Sequence, residues 1–204
     1  MVTKLKIALA QLNPLVGDVI GNTKKLIDVR SKLDKDIDIL VAPELYISGY
    51  PIDDLVLRED FLDLVEKEIN NLAKITTDNK SAIIVGAPRK DSGSIKNSVF
   101  VIEKGKIISV KDKHELPNTG VFDEQRIFEK GILENCVKIK GVNFGLPICE
   151  DIWKETVLKK LSQSGAEIII AINASPFTIS KHDERNDITL CRVNETKLPI
   201  VYLN

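Results

Sequence analysis

The segment Ile168-Ile169-Ile170-Ala171-Ile172 is an unbroken run of apolar residues rich in isoleucine. Such a run predicts a strand, here extending over residues 167–173. A strand that is apolar at every position is buried on both of its faces. The sheet that contains it must therefore be covered by helices or by a second sheet, which predicts a layered α/β fold.

Other runs rich in Ile and Val predict seven further strands. They cover residues 4–12, 37–42, 81–87, 97–103, 106–111, 143–149 and 199–203. The segment Glu103-Lys104-Gly105-Lys106 joins the fourth strand to the fifth, and its glycine permits a tight turn. These two strands are therefore predicted to form an antiparallel hairpin.

Amphipathic stretches between these strands predict four helices. They cover residues 22–34, 58–75, 153–164 and 184–197. Gly165 follows the third helix, as a C-terminal cap would, and Pro199 follows the fourth. The order is βαβαβ, then the hairpin, then a second βαβαβ unit. The sequence contains no linker rich in Gly, Pro or Ser, so we expect residues 1–204 to belong to one domain.

The composition is that of an ordinary soluble domain. The chain has 204 residues, of which 43% are hydrophobic and 29% charged, enough for one domain with a real core. Its net charge of −1 gives no reason to expect nucleic acid or an anionic membrane as a partner. No apolar stretch approaches a membrane span, and the N-terminal MVTKLKIALAQL lacks the features of a signal peptide. We therefore expect a cytoplasmic protein with a small ligand.

The cysteines and histidines give no indication of a metal site. Cys136, Cys149 and Cys191 match the spacing of neither a disulfide framework nor a zinc motif. The two histidines, His114 and His182, lie in segments expected to be polar loops and are therefore expected to be solvated. We predict no metal site and no Cys/His dyad.

Cys149 is the cysteine with a possible chemical role. It ends a predicted strand, and a predicted helix follows it. A nucleophile at a strand-to-helix turn is exposed, and nearby helix-start amides can lower a thiol pKa and donate to an oxyanion. A buried structural thiol is the commoner role for a lone cysteine, and we assign that role to Cys136 and Cys191.

A carboxylate and a cation end two other predicted strands. Glu44 follows residues 37–42 among apolar neighbours, which suit a carboxylate to act as a general base. Lys113 follows the hairpin and can stabilise the oxyanion formed when a nucleophile attacks a carbonyl. Taken singly, each residue is more often a solvated surface charge.

Glu, Lys and Cys in this order at the ends of strands resemble the nitrilase superfamily of carbon–nitrogen hydrolases. Four blocks are similar to the glutaminase domain of glutamine-dependent NAD synthetases, and the similarity runs from the first strand to the last residue. The blocks are PELYISGYPIDDL (43–55), LPNTGVFDE (116–124), ICEDIW (148–153) and NASPF (173–177). The resemblance implies a four-layer αββα sandwich.

The resemblance also implies roles for individual residues. Cys149 corresponds to the nucleophile, Glu44 to the general base and Lys113 to the lysine of the catalytic triad. Glu124 corresponds to an additional acid that orients the others. Five further residues correspond to substrate-binding positions: Tyr50, Thr119, Glu150, Ser175 and Lys181.

Three of these substrate positions carry a more specific expectation from the resemblance. A hydroxyl at Ser175 and a cation at Lys181 suit the α-carboxylate of glutamine. The family usually has a tyrosine at the position of Thr119, so this residue bears on substrate selectivity.

The activity implied by the resemblance is hydrolysis of L-glutamine without a cofactor. The ammonia would pass to a synthetase domain that uses ATP and Mg²⁺ to amidate deamido-NAD. The sequence has no Ser-Gly-Gly phosphate-binding loop, and Asp91-Ser92-Gly93-Ser94 is predicted to be a turn before a strand. We therefore expect a glutaminase domain that is incomplete at its C-terminus and lacks the synthetase domain. Family members commonly form homo-oligomers, and we expect the same here.

Two other hypotheses remain open. One is a stand-alone amidase of the same superfamily that acts on another small amide, which Thr119 and the missing synthetase segment permit. The other is a catalytically silent fragment that contributes only an assembly surface. A formed triad predicts selective alkylation of Cys149 near neutral pH, whereas a silent fragment predicts an ordinary thiol.

Overall fold

Two β-sheets lie face to face in the computed structural model, which describes residues 4–78 and 80–204. The first sheet contains β1 (Ile7–Leu9), β2 (Ile39–Val41), β3 (Ala82–Asp91), β4 (Ser94–Glu103) and β5 (Lys106–Asp112), in that spatial order. The second contains β6 (Val137–Ile139), β7 (Val142–Gly145), β8 (Ile168–Ile172) and β9 (Ile200–Leu203), also in sequential order.

The directions of the strands place the C-terminal ends of β2 and β5 at the same edge of the first sheet. Strands β1, β2 and β3 are parallel, and β4 and β5 continue the sheet with antiparallel pairing. Strands β7, β8 and β9 are parallel, with β6 antiparallel to β7. Because β2 and β5 run in the same direction, the residues that follow them leave the first sheet at the same edge.

In the part of the chain that the structure describes, four α-helices cover the two sheets. They are α1 (Val19–Ser31), α2 (Glu59–Ile75), α3 (Glu155–Gln163) and α4 (Lys181–Thr196). Short 3₁₀ helices lie at Asp53–Leu57, Thr76–Asp78, Glu124–Arg126 and Cys149–Trp153. Among the residues described, we find no helix with the length and apolar character that crossing a membrane requires.

Helix α2 illustrates why the outer layers form. Val65, Ile69 and Leu72 recur every three or four residues and are at most 1% exposed. Burial of each such side chain contributes about 1.5–3 kcal/mol. Glu59 and Asp60 lie in the first turn, where carboxylates interact favourably with the helix dipole. The helix therefore packs one apolar face against the sheet, and the charges in its first turn stabilise its N-terminus.

Alternating side chains divide the molecule into four layers. In β2, Leu40 belongs to the apolar cluster shared with α1 and α2, whereas Ile39 and Val41 belong to the cluster between the sheets. In β8, Ile170 packs between the sheets and Ile169 packs with α3. These apolar strands are thus buried on both faces, and the predicted αββα sandwich is confirmed.

The order of elements is confirmed apart from β6, which was not predicted. The strand predicted at residues 4–12 is shorter because only Ile7–Leu9 pair with β2. Strand β3 continues to Asp91 and turns into β4 at Ser92 and Gly93, which both have positive φ, as the predicted turn requires.

Three helices begin two or three residues away from the predicted positions, and α2 begins at Glu59, one residue after the predicted start. Helix α1 begins at Val19 rather than 22 because the Asp18 side chain accepts a hydrogen bond from the Gly21 N–H at 2.9 Å. The 3₁₀ helix at Cys149–Trp153 delays the start of α3. Helix α4 begins at Lys181, so the polar loop predicted around His182 is wrong.

Candidate active site

Three strand ends supply the central residues of the site. Glu44 follows β2, Lys113 follows β5, and Cys149 follows β7 after a short segment that bridges to the end of β8. Their exposed fractions are only 1%, 1% and 4%. Glutamate and lysine side chains are almost never fully buried unless they are paired, whereas burial is common for cysteine. The structure therefore holds them together inside the protein rather than at its surface.

Lys113 is a buried cation between two carboxylates. Its Nζ donates to Glu44 Oε1 at 2.7 Å and to Glu124 Oε1 at 2.8 Å. Burial alone lowers the pKa of Lys113, but the charges of Glu44 and Glu124 outweigh it and raise that pKa well above its ordinary value. The Tyr50 hydroxyl donates to Glu124 Oε1 at 3.1 Å. Lys113 therefore remains charged at neutral pH.

Glu124 titrates in an unusual range. Burial, followed by the charge of Glu44, raises the pKa of Glu124 to about 7, although Lys113 opposes the rise. Two carboxylates next to a single cation repel one another when both are ionised. The site can therefore change its charge between weakly acidic and neutral pH.

Cys149 begins its 3₁₀ helix with a φ of 48°, in the left-handed region that residues other than glycine rarely adopt. Such backbone conformations cluster at functional sites. The Sγ atom lies 3.6 Å from the Ser175 Oγ. The structure thus presents Cys149 at a strained turn between strand and helix.

The expectation of a lowered thiol pKa is wrong. Burial raises the pKa of Cys149 to about 12, Glu44 adds to the rise, and Lys113 opposes it. The five-residue 3₁₀ helix that begins at Cys149 does not offset this loss of solvation. The resting side chain is consequently a neutral thiol, which needs a base before it can act as a nucleophile.

Asp151 connects the segments that carry Lys113 and Cys149. Its buried carboxylate accepts hydrogen bonds from the N–H groups of Ile148 at 3.0 Å, His114 at 3.1 Å and Glu115 at 2.7 Å. Burial raises the pKa of Asp151 to about 7 despite these bonds. Sequence reasoning gave this residue no role, although it lies only two positions after Cys149.

A cavity of about 450 Å³ opens beside Glu44, whereas Lys113, Glu124 and Cys149 are not among its lining residues. Its polar lining residues include Glu44, Tyr50, Asn173 and Ser175. Leu12, Pro14, Pro43, Val121 and Phe122 are among the apolar residues that surround it. The volume suits a small ligand, and the mixture of apolar walls with a few polar groups is typical of small-molecule sites.

Three of the predicted substrate residues do not line this cavity. Thr119 is exposed, and its carbonyl accepts from the Phe122 N–H at 3.1 Å. Glu150 is partly buried, and its carboxylate lies 3.9 Å from the Lys154 Nζ. These two residues lie outside the lining, while Tyr50 and Ser175 lie within it.

Lys181 is the third residue outside the cavity lining. Its Nζ lies 2.5 Å from a Glu184 carboxylate oxygen and 5.1 Å from the centroid of the Trp153 ring. Both contacts satisfy its charge near the start of α4. Its role toward a substrate carboxylate remains a prediction.

The two remaining cysteines and one of the two histidines differ from expectation, whereas His182 is exposed, as predicted. Cys191 is exposed and Cys136 is partly buried, so the prediction that both are buried thiols is wrong. His114 is partly buried and its Nδ1 lies 2.7 Å from the Gly131 carbonyl oxygen, so it is not solvated as predicted. Across residues 4–78 and 80–204, no group of three or more His, Cys, Asp or Glu side chains could hold a metal ion.

Comparison with known proteins identifies the family. Residues 6–190 match the carbon–nitrogen hydrolase family, and the chain belongs to it. A glutamine-dependent NAD(+) synthetase from Rhodobacter capsulatus is 36% identical over 205 residues, with 100% of this chain and 37% of that protein covered. Its counterpart from Xanthomonas campestris pv. campestris is 39% identical, with 98% of this chain and 37% of that protein covered. The chain thus spans little more than a third of the length of these relatives.

Solved structures agree with this relationship. The glutamine-dependent NAD+ synthetase from Acinetobacter baumannii has a TM-score of 0.91 and 33% identity, with 98% of this chain and 38% of that chain covered. A nitrilase-superfamily amidase from Nesterenkonia AN1 has a TM-score of 0.84 at 16% identity, with 98% of this chain and 76% of that chain covered. The second likeness shows the fold alone.

Proposed function

We propose that the chain is a glutamine amidohydrolase whose ammonia serves the amidation of deamido-NAD. The observation that carries the proposal is a buried Lys113 cation held between Glu44 and Glu124. Glu44 lines a cavity for a small molecule, and the Cys149 Sγ lies 3.6 Å from Ser175, which lines the same cavity. The relationship to glutamine-dependent NAD(+) synthetases supports glutamine as the amide. ATP and Mg²⁺ belong, in this proposal, to a separate synthetase part, and the location is cytoplasmic.

The first chemical step is attack by Cys149. Glu44 takes the proton from Cys149 Sγ, and the sulfur forms a bond to the carbon of the side-chain amide. The carbonyl π electrons move to oxygen, where the Lys113 cation stabilises the negative charge. A neutral resting thiol and a nearby carboxylate are what such base-assisted attack requires.

Collapse of this intermediate releases ammonia. The oxyanion re-forms the carbonyl, the carbon–nitrogen bond breaks, and Glu44 returns its proton to the departing nitrogen. A thioester to Cys149 remains. Water, deprotonated by Glu44, then attacks the thioester, giving glutamate and the free thiol. The sum is glutamine plus water to glutamate plus ammonia.

Purified chain incubated with L-glutamine tests the proposal. Wild type is expected to release ammonia, and Cys149→Ser is expected to lower the rate by at least about a thousandfold because a less acidic hydroxyl replaces the thiol nucleophile. Cys191→Ser changes an exposed thiol on α4 and is the matched control, with the rate unchanged.

Two results would contradict the proposal in different ways. If glutamine yields no ammonia while another small amide is cleaved with dependence on Cys149, the chain is an amidase of different specificity. If no amide is cleaved and Cys149 is alkylated no faster in wild type than in Glu44→Gln, the chain is catalytically silent.

A further inference from the structure

Asn97 contacts both charged members of the proposed triad. It is the fourth residue of β4 and is 1% exposed. Its side-chain Nδ2 donates to Glu44 Oε1 at 2.9 Å, and its backbone carbonyl accepts from the Lys113 N–H at 2.8 Å. Asn97 therefore binds both the side chain of Glu44, the proposed base, and the backbone of Lys113.

The two oxygens of Glu44 have unequal surroundings. Oε1 accepts from the Lys113 ammonium at 2.7 Å and from the Asn97 amide at 2.9 Å. Oε2 accepts, within the described residues, only from the Ala174 N–H at 3.0 Å. A cation and an amide both stabilise negative charge on Oε1. Oε2 therefore has the freer lone pair and faces less opposition to receiving a proton.

A buried asparagine at position 97 does not favour the stability of the fold. Its Oδ1 is buried and has no hydrogen-bond partner among the described residues. An unsatisfied buried acceptor costs about 1–3 kcal/mol, and an apolar side chain of similar size would avoid that cost. The contact between Nδ2 and Glu44 is the feature that an apolar residue could not supply.

We propose that Asn97 is a positioning residue that fixes Glu44 with Oε1 against Lys113, leaving Oε2 as the atom that takes the Cys149 proton. The assignment rests on the proposed role of Glu44 as the base. A neutral amide suits the task because it donates without adding charge. An aspartate would repel Glu44, and a second cation would compete with Lys113.

Alkylation of Cys149 by iodoacetamide measures this arrangement without relying on glutamine as the substrate. Peptide mapping by mass spectrometry follows Cys149 and uses the exposed Cys191 in the same sample as an internal reference. In Asn97→Leu, the Cys149 rate at pH 7 is expected to fall about tenfold to a hundredfold, because a misplaced base deprotonates poorly. The Cys191 rate is expected to stay unchanged.

A matched control and a second variant separate positioning from folding. Asn71 on α2 also donates its amide to a glutamate, Glu68, at 2.9 Å, and both residues lie outside the cavity lining. Asn71→Leu is expected to leave Cys149 unaffected. Asn97→Asp keeps the shape but adds a carboxyl group beside Glu44. The acid limb of its pH–rate profile for Cys149 alkylation is expected to move to higher pH.

Each outcome decides the proposal. It is overturned if folded Asn97→Leu alkylates Cys149 at the wild-type rate. It is also overturned if Asn97→Asp leaves the acid limb unmoved, and this variant decides alone if Asn97→Leu does not fold. If glutamine yields no ammonia but the alkylation rates change as predicted, glutamine is rejected as the substrate. The proposed role of Asn97 is then retained.

Discussion

Lys113 is a fully buried charge that the fold tolerates only through its partners. Removing an ion of this type from water costs several kcal/mol, which good geometry and further hydrogen bonds offset. Here Glu44 and Glu124 supply two short contacts, and Tyr50 donates to the second carboxylate. Such a cluster contributes little to stability compared with apolar packing, so its presence fits a chemical role.

Glu124→Gln tests the charge balance at this residue. The pKa of Glu124 is raised to about 7, so folding favours its protonated form and its stabilising effect is complete below about pH 4.5. That effect is lost as pH rises through about 7. Wild type is therefore expected to lose about 1–3 kcal/mol relative to the variant between pH 4.5 and 7.5.

Urea unfolding at several pH values measures this difference. The same titration on Glu129→Gln is the control, because Glu129 is largely exposed and lies outside the cavity lining. A constant difference between wild type and Glu124→Gln across this range would refute the proposed titration.

At the scale of elements, the segments after β5 and β7 are held together by one carboxylate. Asp151 accepts from two N–H groups that follow Lys113 and from one that precedes Cys149. No strand pairing joins β5 to β7, since the two strands belong to different sheets. The bonds of Asp151 therefore help to place two proposed catalytic residues relative to one another.

Asp151→Asn tests this connection with almost no change in shape. The Asn amide nitrogen, placed at one oxygen position, would oppose a backbone N–H donor, which leaves that donor unsatisfied. We expect a loss of about 1–3 kcal/mol in the free energy of unfolding and a fall in ammonia release larger than the loss of folded protein.

Asp183→Asn is the control, because Asp183 is exposed in the first turn of α4. Chemical unfolding and steady-state kinetics provide the two measurements. Wild-type kinetics from Asp151→Asn would show that the carboxylate is not needed to place the two segments.

For the whole molecule, the layer between the sheets sets the spacing of the strand ends. Ile170 is fully buried in that layer, together with Phe144 and residues of the first sheet. Close-packed interiors do not collapse fully around a deleted side chain. A void between the sheets would therefore disturb the strands whose ends carry the site residues.

Ile170→Ala is expected to lower the free energy of unfolding by about 2–5 kcal/mol. Ile132→Ala, which truncates an isoleucine that is 74% exposed, is expected to change it by less than about 0.5 kcal/mol. Thermal and urea unfolding compare the two. Equal effects would mean that the inter-sheet layer does not exist as described.

Local pattern was sufficient for much of the fold and part of the site. The apolar run of β8 predicted burial on both faces, and the regular spacing of apolar residues in α2 predicted an amphipathic helix. Strand-end positions and the family resemblance singled out Glu44, Lys113 and Cys149. Element boundaries were less predictable, because caps such as Asp18 and pairing partners such as those of β6 depend on single contacts.

The sequence by itself determined the layered α/β class, the order of the elements apart from β6, and the identity of the residues at the strand ends. Only the tertiary structure decided the ionisation of Cys149, the unequal oxygens of Glu44 and the contacts of Asn97 and Asp151. The physical reason is that the spacing of apolar residues along the sequence indicates only which face of a helix or strand is buried. Desolvation and hydrogen bonding depend on groups that are distant in sequence, such as Asn97 and Glu44, and become neighbours only when the sheets form.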